Sequence, residues 1–212
     1  MEIHTNFLAD LQLGEPVEYS LIEQICEWER QEYGDGKHRT PDQFYPCVRK
    51  NRRGFLVSLV GDRLVGYADL WQLEKSFYAA LRIGTVDEEA LAEEHVLAAS
   101  EVQTRCWYIG SIITSPALRS ANPVVAAFLF AEICNMLPDF FRQSSHIPCV
   151  VLGVGSSSFG KKLLRRWSFT PVEADKNAID LRPRFERRLD SIADASCFHL
   201  GRQQPRVRRL SL

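Results

Sequence analysis

Two stretches of this 212-residue chain combine side chains and backbone suited to holding an anion. The first is Arg119-Ser120-Ala121-Asn122-Pro123-Val124, where a strand-forming run gives way to a helical one. Unpaired N–H groups and the dipole at such a helix start attract phosphate, and Arg119 adds a full charge. The plain alternative is a capped helix start with no ligand. The second stretch runs from Gly155-Ser156-Ser157-Ser158 into a helix whose outer face is Lys161, Lys162, Arg165 and Arg166, either a solvated surface or a set of phosphate contacts. A third group has the opposite sign. Between Val86 and Glu101 lie six acids (Asp87, Glu88, Glu89, Glu93, Glu94, Glu101) and no Lys or Arg, a segment able to draw in a cation.

Other reactive types are spread thinly. The six cysteines stand singly, without a C-x-x-C pair or a histidine at zinc-ligand spacing, so no metal site is expected and packing is the cheaper reading for each. His95 and His146 have no obvious partner for base catalysis.

Composition bounds what can surround these groups. Hydrophobic residues at 45% and charged ones at 25% describe an ordinary globular chain, and 212 residues suit one core with a decorated edge better than two domains. A formal net charge of −1 argues against a surface built for nucleic acid, leaving a contact by the Arg-rich tail (Arg202, Arg206, Arg208, Arg209) as the exception. No leader pattern opens the chain, and no apolar run is read as approaching the roughly 20 residues that span a bilayer. A cytoplasmic protein without a membrane partner is therefore expected.

The elements that must position the candidate groups follow from periodicity. Pro16 opens a helix carrying Leu21, Ile22, Ile25, Cys26 and Trp28, ended by Gly34-Asp35-Gly36, and Thr40-Pro41-Asp42-Gln43 predicts a second helix with a capping box. Gly54–Val60 and Arg63–Trp71 flank Gly61-Asp62 as an antiparallel hairpin. Cys106–Thr114 is apolar on both faces, as in a strand covered by helices on both sides. Ser115–Ala121 reads as a turn, and Asn122-Pro123 caps a helix that Pro138 is expected to disturb. Pro148–Val154 is a further strand, with Phe169–Val172 and Ala178–Leu181 as a last pair before a helical stretch near Phe185–Phe198. The region 72–104 reads as an insertion.

This order resembles the GCN5-related N-acetyltransferase (GNAT) superfamily over roughly Val17–Leu181. The hairpin with Gly61-Asp62-Arg63-Leu64-Val65-Gly66-Tyr67, the run Tyr108 to Arg119, and Ser157 to Phe169 carry the resemblance. It implies an α/β fold with a mixed, mostly antiparallel central sheet flanked by helices on both faces. The domain would occupy 1–181, with the insertion at about 72–104 and a basic C-terminal extension at 182–212. It implies a CoA-dependent N-acyltransferase, acetyl-CoA being the first-choice donor and another acyl-CoA the second, acting on a small-molecule or protein amine. Arg119, Ser120, Ala121, Asn122, Val124 and Ser157 would then contact the cofactor. An N–H near Ile112 or Ile113 would polarise the thioester carbonyl, with Glu101 and Tyr108 as base and acid or substrate contact. Members of this architecture pair through their last strands, so a homodimer is among the implied assemblies.

The chain departs from the family pattern at four positions: Asn122 and Val124 stand where glycines are usual, Pro123 removes a donor, and Leu164 replaces a tyrosine that protonates the thiolate. Two further readings stay open: transfer of a longer acyl chain or one borne by a carrier protein, and a non-catalytic GNAT-fold protein that regulates or binds a partner.

Overall fold

In the computed structural model, residues 3–34, 39–98, 105–143 and 147–200 are described. The two-sided apolar run becomes strand β4 (Cys106–Thr114), at the middle of a seven-stranded sheet with β1 (His4–Phe7), β2 (Phe55–Val60), β3 (Arg63–Gln72), β5 (Cys149–Val154), β6 (Thr170–Val172) and β7 (Arg184–Leu189). The spatial order is β1-β2-β3-β4-β5-β7-β6. Among the described residues only β4 and β5 pair in parallel, and the other neighbouring strands pair antiparallel. A mixed, mostly antiparallel sheet is thus the observed fold class.

Helices cover both faces because the sheet is apolar on both. On one face lie α1 (Glu15–Tyr33), α2 (Pro41–Lys50) and α3 (Lys75–Ile83), whose Leu21, Ile25, Phe44, Val48 and Leu81 close over Phe55, Tyr67, Trp71 and Tyr108. The α2 start is the capping box read from Thr40 and Gln43: each side chain bonds the other's backbone N–H, at 3.4 and 3.1 Å. After the short α4 (Pro116–Ala121), α5 (Pro123–Gln143) and α6 (Ser158–Arg166) cover the other face. There Leu129, Ile133, Leu137 and Phe141 meet Leu56, Leu70 and Trp107.

Several expectations need correcting. The segment Ser115–Ala121 is not a turn but helix α4 with Ser115 as its N-cap, since the Ser115 hydroxyl accepts from the Leu118 N–H and Pro116 suits the first turn. Helix α5 runs through Pro138 to Gln143, held by its buried stripe. Its stretch Pro123–Phe141 is in fact long and apolar enough to cross a membrane by length and composition, and half of it is buried against the sheet. The last strand is Arg184–Leu189, not Ala178–Leu181, and it lies between β5 and β6, so the sheet extends beyond 181 into the segment read as an extension. Phe185 is therefore in a strand, and the helical turn that follows is confined to Ile192–Phe198. The N-terminal strand β1 is an addition to the elements read from sequence.

Candidate functional site

Strands β4 and β5 begin as partners and then separate. Their register covers Cys106↔Val150 to Ile109↔Gly153, and beyond it Gly110–Thr114 has no strand on that side. The gap is a cleft of about 500 Å³, walled by β4, by Ala126, Ala127 and Phe130 of α5, and by Phe159, Leu163 and Leu164 of α6. Its lining is mostly apolar carbon, with backbone amides at its edges.

Which amides face the cleft is decided by a bulge. Ala68 pairs with Ile112 and Leu70 with Ile109, so Gly110 and Ser111 together oppose the single residue Asp69. Below the bulge, the Cys106 carbonyl accepts from Leu73 on β3, whereas the Arg105 carbonyl accepts from Val150 on β5. Above it, the Ser115 N–H donates to Val65 on β3. Alternation then turns the amide of Ile113 into the sheet and those of Ile112 and Thr114 toward the edge that β5 has left. Of the two amides expected near the thioester, Ile112 is the one turned outward.

The opposite wall of β4 is a buried polar cluster. Asp69 is 0% exposed; its carboxylate accepts from the Ser111 N–H and, at 3.0 Å, from the Trp71 indole. Glu29 accepts from the Tyr67 hydroxyl at 2.9 Å and the Ser111 hydroxyl at 3.1 Å. Arg39 lies 3.7 Å from Glu29 and 3.6 Å from Asp69, with its guanidinium 3.8 Å from the Phe44 ring centre. Burial pushes the Asp69 carboxyl up to about 7, opposed by Arg39 and reinforced by Glu29. Burial also lifts the Tyr67 and Tyr108 phenols well above their usual range.

A second, water-sized space of about 20 Å³ lies beside the cleft and shares Tyr33, Glu88, Gly110 and Ser111 with it. Glu88 reaches this junction from the acidic segment, accepting from the Tyr108 hydroxyl and pairing with Arg182. Tyr108, a residue the sequence singled out, therefore stands at the junction through Glu88. Glu101 lies outside the described residues, as do His146 and the arginines of the tail.

The expected phosphate loop is assembled only in part. Arg119 lines the cleft, but its guanidinium is paired with Glu32 at 2.6 Å. Asn122 uses its side-chain oxygen on the Val125 N–H and its carbonyl on the Ala126 N–H, and Pro123 has no N–H. Among the first amides of α5, that of Val124 is left. Ser120, Ala121, Asn122 and Val124 are not on the cleft wall, and Val124 is 78% exposed. At the other helix start Ser157 is on the wall, its hydroxyl capping the Gly160 N–H at 2.9 Å. The first-turn amides of Ser158 and Phe159 have no acceptor within their own helix. Acyl-CoA fits this surface well along its pantetheine arm, which is uncharged and amide-bearing. For the diphosphate, the Val124, Ser158 and Phe159 amides and the Arg119 and Lys161 side chains form a smaller donor set.

Glu29, Arg39, Asp69 and Ser111 escaped the sequence reading. Their one local signal was Gly110, a glycine inside a strand. A Cβ there would sit 2.6 Å from the Asp69 carboxylate. Among the described residues, no cluster of three His, Cys, Asp or Glu side chains could hold a metal ion.

No family model and no curated protein matches the chain. Solved structures do. A GNAT-family acetyltransferase from Staphylococcus aureus superposes with a TM-score of 0.50 at 11% identity, over 89% of this chain and 99% of that one. An acetyltransferase from Streptococcus agalactiae gives 0.50 at 10%, over 88% and 98%. The CoA-dependent acyl-homoserine lactone synthase BjaI, solved with SAM and isopentyl-CoA, gives 0.51 at 13%, over 93% and 87%. At these identities the likeness is one of architecture, and the chain has the GNAT fold.

Proposed function

We propose that the protein transfers an acyl group from an acyl-CoA thioester to an amine, with acetyl-CoA as the first-choice donor. The observation that carries this reading is the Ile112 amide, turned into an apolar cleft at the point where β5 leaves β4. A donor fixed in the backbone and shielded from water suits the oxygen of a carbonyl under attack.

The thioester supplies an activated acyl carbon and a thiolate leaving group. Ile112 N–H holds the carbonyl oxygen as negative charge grows on it. The amine enters from the side of the small polar space, and Glu88 takes its proton directly or through a water. Tyr108, whose phenol keeps its proton, holds Glu88 by donating to it, and Arg182 neutralises the same carboxylate. Nitrogen–carbon bond formation and carbon–sulfur bond cleavage then leave a free thiol once the thiolate is protonated. In this reading Glu88 fills the role expected of Glu101, and acids around the junction favour an acceptor that arrives as a cation.

Isothermal titration with acetyl-CoA, a longer acyl-CoA and desulfo-CoA tests the donor. Micromolar binding of acetyl-CoA is expected. Heat only from the longer chain would reassign the acyl group, and no heat from any of the three would overturn the reading.

A further inference from the structure

The buried carboxylate of Asp69 touches neither the cleft nor the small polar space beside it, yet it sits where β4 gains its extra residue. A bulge leaves an N–H without a strand partner, and a buried orphan N–H is costly. Here that N–H belongs to Ser111, and Asp69 accepts it with one oxygen while its other oxygen accepts from the Trp71 indole. Gly110 makes the arrangement possible, because a side chain at that position would collide with the same carboxylate.

The bulge also reverses the parity of β4. Below it, odd-numbered residues turn their backbone polar groups toward β5, as the Arg105 carbonyl does in accepting from the Val150 N–H; above it, the N–H of odd-numbered Ser115 points to β3. Without the extra residue, Ile113 would face the cleft and Ile112 would be tied into the sheet. We infer that Asp69 is a positioning residue for acyl transfer: by satisfying the Ser111 amide it locks the bulge that turns the Ile112 amide outward. The inference deepens the acyl-transfer reading and rests on it for its catalytic half. The groups facing Asp69 are Glu29 from α1, Arg39 from the segment before α2, and Ser111 from β4, so a change at Asp69 is felt first in this cluster.

Amide hydrogen exchange on the full chain tests the positioning half without any ligand. In the native protein Ile112 should exchange at least about 10-fold faster than Ile113, as an open-edge amide does beside a laddered one. Asp69→Ala should abolish or reverse that ratio. Gly110→Ala, which displaces the carboxylate while keeping it in the chain, should do the same if Asp69→Ala folds poorly. Asp69→Asn retains an oxygen for the Ser111 N–H and should keep the native ratio. An unchanged ratio in both Asp69→Ala and Gly110→Ala overturns the inference.

Turnover supplies the second readout. Asp69→Ala should lower kcat by roughly 100-fold, the effect of losing one oxyanion donor, with acyl-CoA affinity within about twofold of native. A parallel loss of affinity and kcat, tracking the folded fraction, would reduce Asp69 to a structural role and overturn the catalytic half. Lack of transfer by the native protein, with the exchange ratios as expected, would strike the acyl-transfer reading and leave Asp69 as the lock of the bulge.

Discussion

The two edges of β4 face opposite environments. Toward β3 the ladder runs on both sides of the bulge, and at the bulge a carboxylate from the neighbouring strand accepts from the Ser111 amide. Toward β5 the ladder stops at Ile109, and the amides beyond it look into an apolar cleft. The proposed acyl transfer asks for a backbone donor that is free yet immobile, and the two edges of this one strand suit both demands. Rigidity is built on the edge away from the cleft.

The sharpest way to break this contrast is to remove one amide from each edge in turn. Ile112→Pro deletes an N–H that plays no part in the β3 ladder, so the fold should survive while kcat drops by about 100- to 1000-fold. Ile113→Pro deletes a ladder bond in a central strand and should abolish soluble expression. Equal tolerance of the two, read by activity and by circular dichroism, would erase the distinction between the edges.

A smaller effect concerns the sealed edge and pH. Burial raises the Asp69 carboxyl to about 7, above the roughly 3.9 of an unfolded chain, so the folded form binds that proton more tightly. The stability this contributes is full below about pH 4 and is lost as pH rises through about 7. Urea midpoints should therefore decline from about pH 4.5 to 7.5 more steeply in the native protein than in Asp69→Asn, which has no proton to lose. Parallel slopes would mean that Asp69 is ionised throughout.

The smallest effect belongs to the open edge. Arg119 and Glu32 form a half-exposed pair, which contributes under about 1 kcal/mol to stability. Arg119→Ala should leave the melting temperature nearly unchanged and weaken acyl-CoA binding by about 3- to 10-fold, the weight of one hydrogen-bonded contact. An unchanged dissociation constant would keep Arg119 as a partner of Glu32 alone.

How much of this was legible in sequence depends on the range of the interactions. Strand β4 and the α5 start were readable because an unbroken apolar run and an Asn-Pro cap are local signals, and both boundaries are reproduced. The bulge was not, since it depends on Asp69, 42 residues from Ser111, and on a glycine whose reason appears only when β3 is alongside. Strand β7 was misplaced for a related reason. Its Arg-Phe-Glu-Arg-Arg-Leu reads as the start of a helical stretch until Arg82 and Tyr78 are seen to meet Glu186, and the Trp167 carbonyl to accept from Arg187. The stretch 119–124, read as an anion cradle, is divided by the fold. Arg119 reaches the cleft wall, while Asn122 uses its own oxygens on the amides a phosphate would need.

The placement of β7 between β5 and β6 also bears on how the chain comes off the ribosome. β5 is synthesised long before the strand that covers its far edge, and β6 follows with its neighbour still missing. At about 5–20 residues per second, some seconds pass with β5 offering an unpaired apolar edge, the kind that recruits foreign strands. Nascent chains halted before Arg184 should consequently be the most chaperone-dependent, and release of that dependence should coincide with emergence of Leu189 rather than with completion of the cleft.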